Sequence, residues 1–402
     1  MIKIAILGYG VVGSGVMHVL EKNAARISQN AGQEIEAKYI LDIRQFPDSP
    51  YKALFAKDFE VIVTDPEIAV VVEVIGGAGE ALTYTRRCLE AGKNVVTSNK
   101  ELVAEHGSEL LKLAMEKGVN YLFEASVGGG VPVIRPLAQC MTANTISEIY
   151  GILNGTTNYI LTDMKRNTAD FSKALCEAQK KGYAESDPTA DIDGHDTCRK
   201  ICILSSLAFG RHIYPKQVST EGITGVAKND IQYAAELGYE IKLLGRARSV
   251  GDNVSVYVAP HLVSRQSLLA VVDDVMNGVV IRGNAVGNVV FCGAGAGKLP
   301  TASAVVADII DAVKHLHARR WISWNEGYED IVTNPILLET SWYIRTDATR
   351  ERVEKEFGNV LFAERTCSET AFVTGVMNGK MISDLLDRGI TAQSQFRILG
   401  DH

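Results

Sequence analysis

The chain has 402 residues, 46% of them hydrophobic and 22% charged, a composition of globular proteins and enough for two or three domains of roughly 100–200 residues each. The net charge of −7, with no Lys/Arg block, argues against nucleic acid and anionic membrane as partners. The most apolar stretch, Ile68 to Leu82, is broken by Glu73 and Gly76 and falls short of the ~20 residues of a bilayer span, so no membrane partner is expected.

In chain order, residues Met1 to Gly8 enter a strand directly, without the basic segment and cleavage site of a signal peptide. Lys3–Leu7 reads as that strand and Val11–Lys22 as a helix. Ala37–Leu41, Val61–Val63 and Val70–Ile75 read as strands, the last buried on both faces. Glu80–Ala91 is helical, Val95–Thr97 a strand, Lys100–Lys117 a helix and Tyr121–Glu124 a strand. This alternation predicts an α/β, Rossmann-type, doubly wound parallel sheet, a dinucleotide-binding domain over residues 1–130. Beyond Gly130, helices Phe171–Lys181 and Asp196–Phe209 mix with strands Val254–Val258, Gly278–Ile281 and Val289–Cys292, giving an α+β domain over 131–300. A glycine-rich turn, Gly293 to Gly297, precedes a helix near Pro300 that is expected to return to the first domain at about 300–320. The last stretch reads as strand Ser341–Arg345, helix Thr349–Phe357, strands Val360–Glu364 and Ala371–Val376, helix Ile382–Arg388 and strand Gln395–Leu399. That is the βαββαβ order of the ferredoxin-like motif, taken as a separate small domain over 335–402. The seven cysteines have no regular spacing, which fits reduced thiols in a cytoplasmic protein; Cys198 and Cys202 read as small core residues rather than zinc ligands.

Three motifs carry chemistry. Gly8, Tyr9, Gly10, Val11, Val12 and Gly13 match G-x-G-x-x-G between a strand and a helix, the setting in which backbone N–H groups and the helix dipole meet a pyrophosphate. Asp42 ends the second strand, where an acid bonds the ribose of NAD; Arg44 beside it is placed for the 2′-phosphate of NADP, and Asp42 as an ordinary turn residue is a third reading. Lys100, after a buried strand, stands where open α/β sheets bind ligands; a solvated helix-start lysine is the alternative. The densest signal is Gly182–Lys200. Glu185, Asp187, Asp191, Asp193 and Asp196 precede Lys200 and the apolar run Ile201 to Leu204, so the acids lead into a core. A solvated loop is the plain reading; a pocket for an ammonium-bearing molecule is the other. Asp193 reads as a helix cap and Asp187, before Pro188, as a turn former. A lysine near both a core and carboxylates has the means to move a proton.

Together these segments make the chain resemble the homoserine dehydrogenase family. The match runs in family order through Gly8–Gly13, Glu73–Gly77, Asn99-Lys100, Glu124–Pro132, Gly151–Asn158, Gly182–Lys200 and Gly293–Ser303. The resemblance implies NAD(P)-dependent interconversion of L-homoserine and L-aspartate 4-semialdehyde, on the route to threonine, methionine and isoleucine. It implies Lys200 as proton donor, with Lys100 between cofactor and substrate. Glu185, Asp191, Asp196, Tyr183 and Thr156 would bind substrate, and Gly76 and Gly297 would flank the dinucleotide. Backbone oxygens of Glu124, Val127, Gly129 and Val131 would hold sodium or another monovalent cation. It also implies a homodimer or homotetramer in which the 131–300 region binds substrate and dimerises, and an ACT-like C-terminal domain. Two departures stand out. Many relatives have an arginine where this chain has Leu41, which weakens the case for a 2′-phosphate. ACT domains usually have a glycine in their first loop, and Thr346 to Arg350 has none, which argues against a threonine site there. No kinase-sized segment precedes the dehydrogenase, so a monofunctional enzyme is expected. The rival readings are another amino-acid dehydrogenase, such as one acting on aspartate, and a non-catalytic NAD(P)-binding amino-acid sensor.

Overall fold

The computed structural model describes residues 1–316, 318, 322–364 and 369–400. Strands β1 (Ile2–Leu7), β2 (Ile35–Leu41), β3 (Ile68–Glu73), β4 (Asn94–Thr97) and β5 (Tyr121–Leu122) form an all-parallel sheet in the order β2-β1-β3-β4-β5. Alternate side chains feed two cores, the physical basis of a sheet wound on both faces. Ala5, Leu7, Val71 and Val95 pack to one side with Leu102 and Leu89. Ile4, Ile6, Val70, Val72 and Val96 pack to the other with Val16, Val305 and Ile309. Val305 and Ile309 belong to the helix Lys298–Lys314, which returns across the chain to cover that face; residues 317, 319 and 320 of the expected 300–320 segment lie outside the described residues.

Two local expectations are corrected. Val61–Val63 is not a strand but the end of a helix, Phe59–Val63, whose first turn is capped by the Asp58 carboxylate accepting from Val61 N. A three-residue apolar run fits either period, and the cap decides it. The strand expected to Glu124 stops at Leu122, and the chain turns into a short 3-10 segment, Glu124–Ser126.

The second sheet is mixed. It comprises β6 (Ile146–Ile152), β7 (Ser219–Thr220), β8 (Tyr239–Val250), β9 (Asn253–Ser264), β10 (Met276–Gly283), β11 (Gly287–Ala294), β12 (Trp342–Thr346), β13 (Leu361–Phe362), β14 (Thr370–Val373) and β15 (Ala392–Leu399). Their order is β11-β10-β6-β8-β9-β15-β12-β14-β13, with β7 beside β9. The four C-terminal strands are mutually antiparallel in the order β15-β12-β14-β13, the ferredoxin-like arrangement. They are not detached: β15 pairs in parallel with β9, Arg397 opposite His261, so one sheet runs through both units.

A buried polar knot fixes that junction. Asp230, 0% exposed, accepts from Arg345 Nε at 2.7 Å, Tyr343 Oη at 2.9 Å and Ser394 Oγ at 2.8 Å. Removing one partner of a buried ion pair costs ~3–5 kcal/mol when the other charge is stranded. Arg345 keeps a second acid, Glu369 at 2.9 Å, so the low end, about 3 kcal/mol, applies here. Asp230→Ala is therefore expected to lower unfolding free energy by about that amount in urea titration; a loss under about 1 kcal/mol would show that water reaches Arg345.

Candidate active site

The carboxyl ends of β1, β3 and β4 lead into the loops at Gly8, Glu73–Gly77 and Asn99, around the switch point between β1 and β3 where such sheets bind ligands. Asn99 caps the helix Lys100–Lys117: its Oδ1 accepts from Leu102 N at 3.0 Å, and its Nδ2 donates to Gly77 O at 2.7 Å and Ile75 O at 3.2 Å. Glu73 is wholly buried and holds the same loop, accepting from Ile75 N and Thr97 Oγ1 at 2.7 and 2.6 Å. Burial pushes its carboxyl up to about 7, against the lowering pull of those hydrogen bonds.

Lys100 opens that helix, which packs against the helix His195–Phe209. The contact brings Lys100 Nζ to 2.6 Å from Asp196 Oδ1, while Lys200 Nζ is 2.7 Å from Asp196 Oδ2, one turn along Asp196's own helix. Lys200 also donates to Leu153 O at 2.7 Å. An ammonium has three N–H donors, and among the described residues two of Lys200's are engaged, leaving one. The two lysines differ in setting: the Lys200 side chain is 10% exposed and that of Lys100 42%. Burial lowers the Lys200 ammonium below the usual lysine value; Asp196 pulls it back up, and the charge on Lys100 lowers it again. Burial pushes the Asp196 carboxyl up, but the two ammonium groups outweigh it and hold the carboxyl well below the usual range.

Asn154, the cap of the helix Gly155–Asn167, ties in a second acid. Its Nδ2 donates to Asp191 Oδ1 at 2.7 Å and Asp196 Oδ2 at 2.9 Å, both amide hydrogens holding one carboxylate each. Burial raises the Asp191 carboxyl, against the lowering effect of the Asn154 bond. Thr156 Oγ1 donates to Tyr183 O at 2.7 Å, and the Tyr183 ring, 43% exposed, lies 4.9 Å from that of Tyr159. Glu185 is exposed, and among the described residues its side chain makes no hydrogen bond or ion pair with this network; its backbone oxygen accepts from Gln179 Nε2 at 3.1 Å. Asp187 forms the expected turn, accepting from Thr189 N and Oγ1. Asp193 is not the expected cap. Gly194 holds that position at φ +84, a left-handed geometry that glycine adopts without strain, and no side chain caps the helix.

At the N-terminus, Gly8 has φ +100, and a Cβ there would lie 2.7 Å from Val74 O; a Cβ on Gly13 would collide with the Gly8 carbonyl. Gly10 heads the helix Val11–Lys22 with no side-chain cap, so the first N–H groups, beside Val12 and the 66%-exposed Val11, face outward. Gly76 stands in open space, and Gly297 heads the helix Lys298–Lys314, also uncapped. These residues fit an anionic dinucleotide. Asp42 accepts from Tyr9 N at 2.7 Å and from Arg44 N and Nε at 2.9 Å; the Arg44 hydrogen bonds lower its carboxyl to about 2.

In the Glu124–Val131 loop the Glu124 carboxylate is committed, Oε1 to Val133 N and Ile134 N, Oε2 to Arg135 N at 2.8 Å. Val127, Gly129 and Val131 are buried, and among the described residues nothing donates to their carbonyl oxygens. No group of three or more His, Cys, Asp or Glu side chains suited to a metal occurs among the described residues.

The fold thus brings Lys100, Asp191, Asp196 and Lys200 into one network and leaves Glu185 at its exposed edge. Sequence reasoning missed Asn154 and Asn99 as organisers and Glu73 as a buried acid. The signal for both asparagines was there: each precedes a helix start, the position where Asn caps.

Residues 132–310 match the family model described as homoserine dehydrogenase, and residues 8–124 the model of the homoserine dehydrogenase NAD binding domain. A Neisseria gonorrhoeae protein named homoserine dehydrogenase is 45% identical over 322 residues, 79% of this chain and 73% of its own length. One from Pseudomonas aeruginosa is 45% identical over 315 residues, 78% of this chain and 72% of its own. The crystal structure of a homoserine dehydrogenase from Thiobacillus denitrificans superposes with a TM-score of 0.88 at 36% identity, covering 99% of this chain and 98% of that one. A hyperthermophilic archaeal homoserine dehydrogenase in complex with NADPH gives 0.67 at 28% identity, covering 77% of this chain and 97% of that one.

Proposed function

The chain belongs to the homoserine dehydrogenase family, and from that premise we propose that Lys200, Asp196 and Lys100 carry the proton transfer of its reaction. It is an NAD(P)-dependent oxidoreductase of amino-acid biosynthesis that interconverts L-homoserine and L-aspartate 4-semialdehyde. Neither the sensor reading nor another amino-acid dehydrogenase is favoured. The observation that carries the residue roles is the sharing of one buried carboxylate by two lysines, one buried and one half-exposed.

The bound nicotinamide supplies or accepts the hydride. In semialdehyde reduction, negative charge builds on the carbonyl oxygen, and the free N–H of Lys200 is the donor that meets it. Asp196 holds that ammonium at its post. Lys100, on the other oxygen of Asp196, lowers the Lys200 pKa and so makes it a readier acid. In homoserine oxidation the neutral Lys200 amine takes the hydroxyl proton. Asp191, Asp196, Thr156 and Tyr183 form the proposed substrate wall; Glu185, an exposed acid, is assigned to the substrate ammonium. The assay is NAD(P)H oxidation with L-aspartate 4-semialdehyde, comparing wild type with Lys200→Ala; equal rates would refute the role of Lys200.

Gly8, Gly10, Val11, Val12, Gly13, Asp42, Arg44, Gly76 and Gly297 are the proposed dinucleotide contacts. Because a Cβ at Gly13 collides with the Gly8 carbonyl, Gly13→Ala is expected to weaken NAD(P)H binding by at least about tenfold, ~1.4 kcal/mol, in fluorescence titration. An unchanged affinity would place the cofactor elsewhere. The carbonyl oxygens of Glu124, Val127, Gly129 and Val131 would hold a monovalent cation, whose chemistry there is to fix the loop; the undonated, buried oxygens support this.

The proposed division is a dinucleotide domain at 1–130 completed by the helix Lys298–Lys314, a substrate and dimerisation domain at 131–300, and an ACT-like unit at 335–402. Homo-oligomerisation is supported by the apolar Leu268 and Val271, 65% and 74% exposed. The first loop of the ACT-like unit is filled by its own bonds, Thr346 Oγ1 to Thr391 O and Ala348 N to Thr346 Oγ1, which supports an assembly role over effector binding there. A cytoplasmic location is supported by free thiols at all six described cysteines; no described helix is long and apolar enough to cross a membrane.

A further inference from the structure

Lys200 and Asp196 lie on one helix, so their spacing is set by helix geometry. Lys100 comes from another helix, and its 2.6 Å approach to Asp196 depends on how the two helices are held together. Behind the site stands a ring that joins them. His212 follows Gly210, the residue that ends the helix His195–Phe209, and its imidazole is 0% exposed. Its Nε2 lies 2.9 Å from the carbonyl oxygen of Ala104, one turn beyond Lys100. Its Nδ1 accepts from Trp324 Nε1 at 2.8 Å. An indole N–H only donates, so Nδ1 must be the acceptor and the proton must sit on Nε2, which donates to Ala104. Burial lowers the imidazole pKa, in keeping with a neutral ring making both bonds. The indole seats on the same helix, where a Cβ at Gly107 would lie 2.6 Å from Trp324 Cζ2. The segment carrying Trp324 is in turn pinned to the end of the helix His195–Phe209 by two backbone bonds, His212 N to Asn325 O at 2.8 Å and Asn325 N to Gly210 O at 3.0 Å.

We propose that His212, oriented by Trp324, is a positioning residue that holds the Lys100 helix against the Lys200 helix and so sets Lys100 on Asp196. The inference rests on the role given to Lys100 above. His212→Phe keeps a ring and loses both bonds; Trp324→Phe keeps an aromatic ring beside the helix, though a shorter one at Gly107, and loses the donor that fixes the tautomer. A displaced catalytic group costs up to about 100-fold, so His212→Phe is expected to lower kcat by about 10- to 100-fold, with KM for NAD(P)H little changed. The deciding readout is the same substitution in a Lys100→Met background, where no further loss is expected because the group being positioned is gone. An equal loss in both backgrounds, or no loss in either, overturns the proposal. If His212→Phe does not fold, Trp324→Phe runs the same cycle, with a smaller loss expected and the same additive outcome against it. Full activity in Lys100→Met alone overturns the role of Lys100 and the clamp with it. A damaged Lys100→Met with an additive His212→Phe overturns the clamp only.

Discussion

Lys200→Met is expected to lower kcat for semialdehyde reduction by about 10²–10⁴, the range for loss of a positioned general acid, with the affinity for NAD(P)H little changed. Methionine keeps the length of the stem through the core and removes only the ammonium. The substitution leaves Asp196 paired with Lys100 at 2.6 Å and bonded by Asn154, so the carboxylate is not stranded and the fold is expected to survive. What is lost is the third N–H of Lys200, the one proposed to meet the forming alkoxide. A loss below about tenfold would mean that another donor, Lys100 first among them, supplies the proton.

The second large effect is expected at Asp196. Asp196→Asn removes the one anion between two ammonium groups. For Lys200, burial and Lys100 lower the pKa and Asp196 raises it; without Asp196 the value falls further. Reduction needs the protonated lysine, so the basic limb of kcat/KM for the semialdehyde moves to lower pH. Oxidation needs the neutral amine, so its acidic limb moves the same way. Stability has a sign too. A lysine whose folded pKa lies below its unfolded value of about 10.4 is protonated more readily in the unfolded chain, so the variant gains stability as pH rises toward that value. Denaturant titration at two pH values checks this, and a variant equally stable at neutral and alkaline pH would show that Lys200 remains charged and solvated. The rate loss at neutral pH is expected to be about 10²–10⁴, since both lysines lose their anchor.

Much of this site was legible because its residues break local rules. Acids running into an apolar helix, and a lysine beyond them, conflict with a solvated loop, and the structure resolves the conflict by pairing Asp196 twice. The glycines of the first turn were legible for the same reason, since no side chain fits at Gly13. The missed parts are those where tertiary pairing hides a pattern. β6 and β8 went unread because Glu148, Lys242 and Arg246 interrupt their apolar runs. The fold neutralises those charges internally, Arg246 Nε on Glu148 at 2.7 Å and Lys242 Nζ on Asp273 at 2.9 Å, across residues no window connects. The joining of β15 to β9 was invisible for a like reason: a parallel pairing between residues 261 and 397 leaves no local trace. Asp193 was misread because it shares the helix start with Gly194, and the backbone chose the glycine.

The central claim, that Lys200 gives its proton as the hydride arrives, is tested most directly by paired isotope effects on kcat/KM for semialdehyde reduction. One is measured in deuterated water and the other with cofactor deuterated at the transferred position, for wild type and Lys200→Met. The expected result is a solvent isotope effect in wild type that disappears in Lys200→Met, while the cofactor isotope effect persists or grows. A solvent isotope effect of the same size in both proteins would contradict the account and move the proton donor to another group.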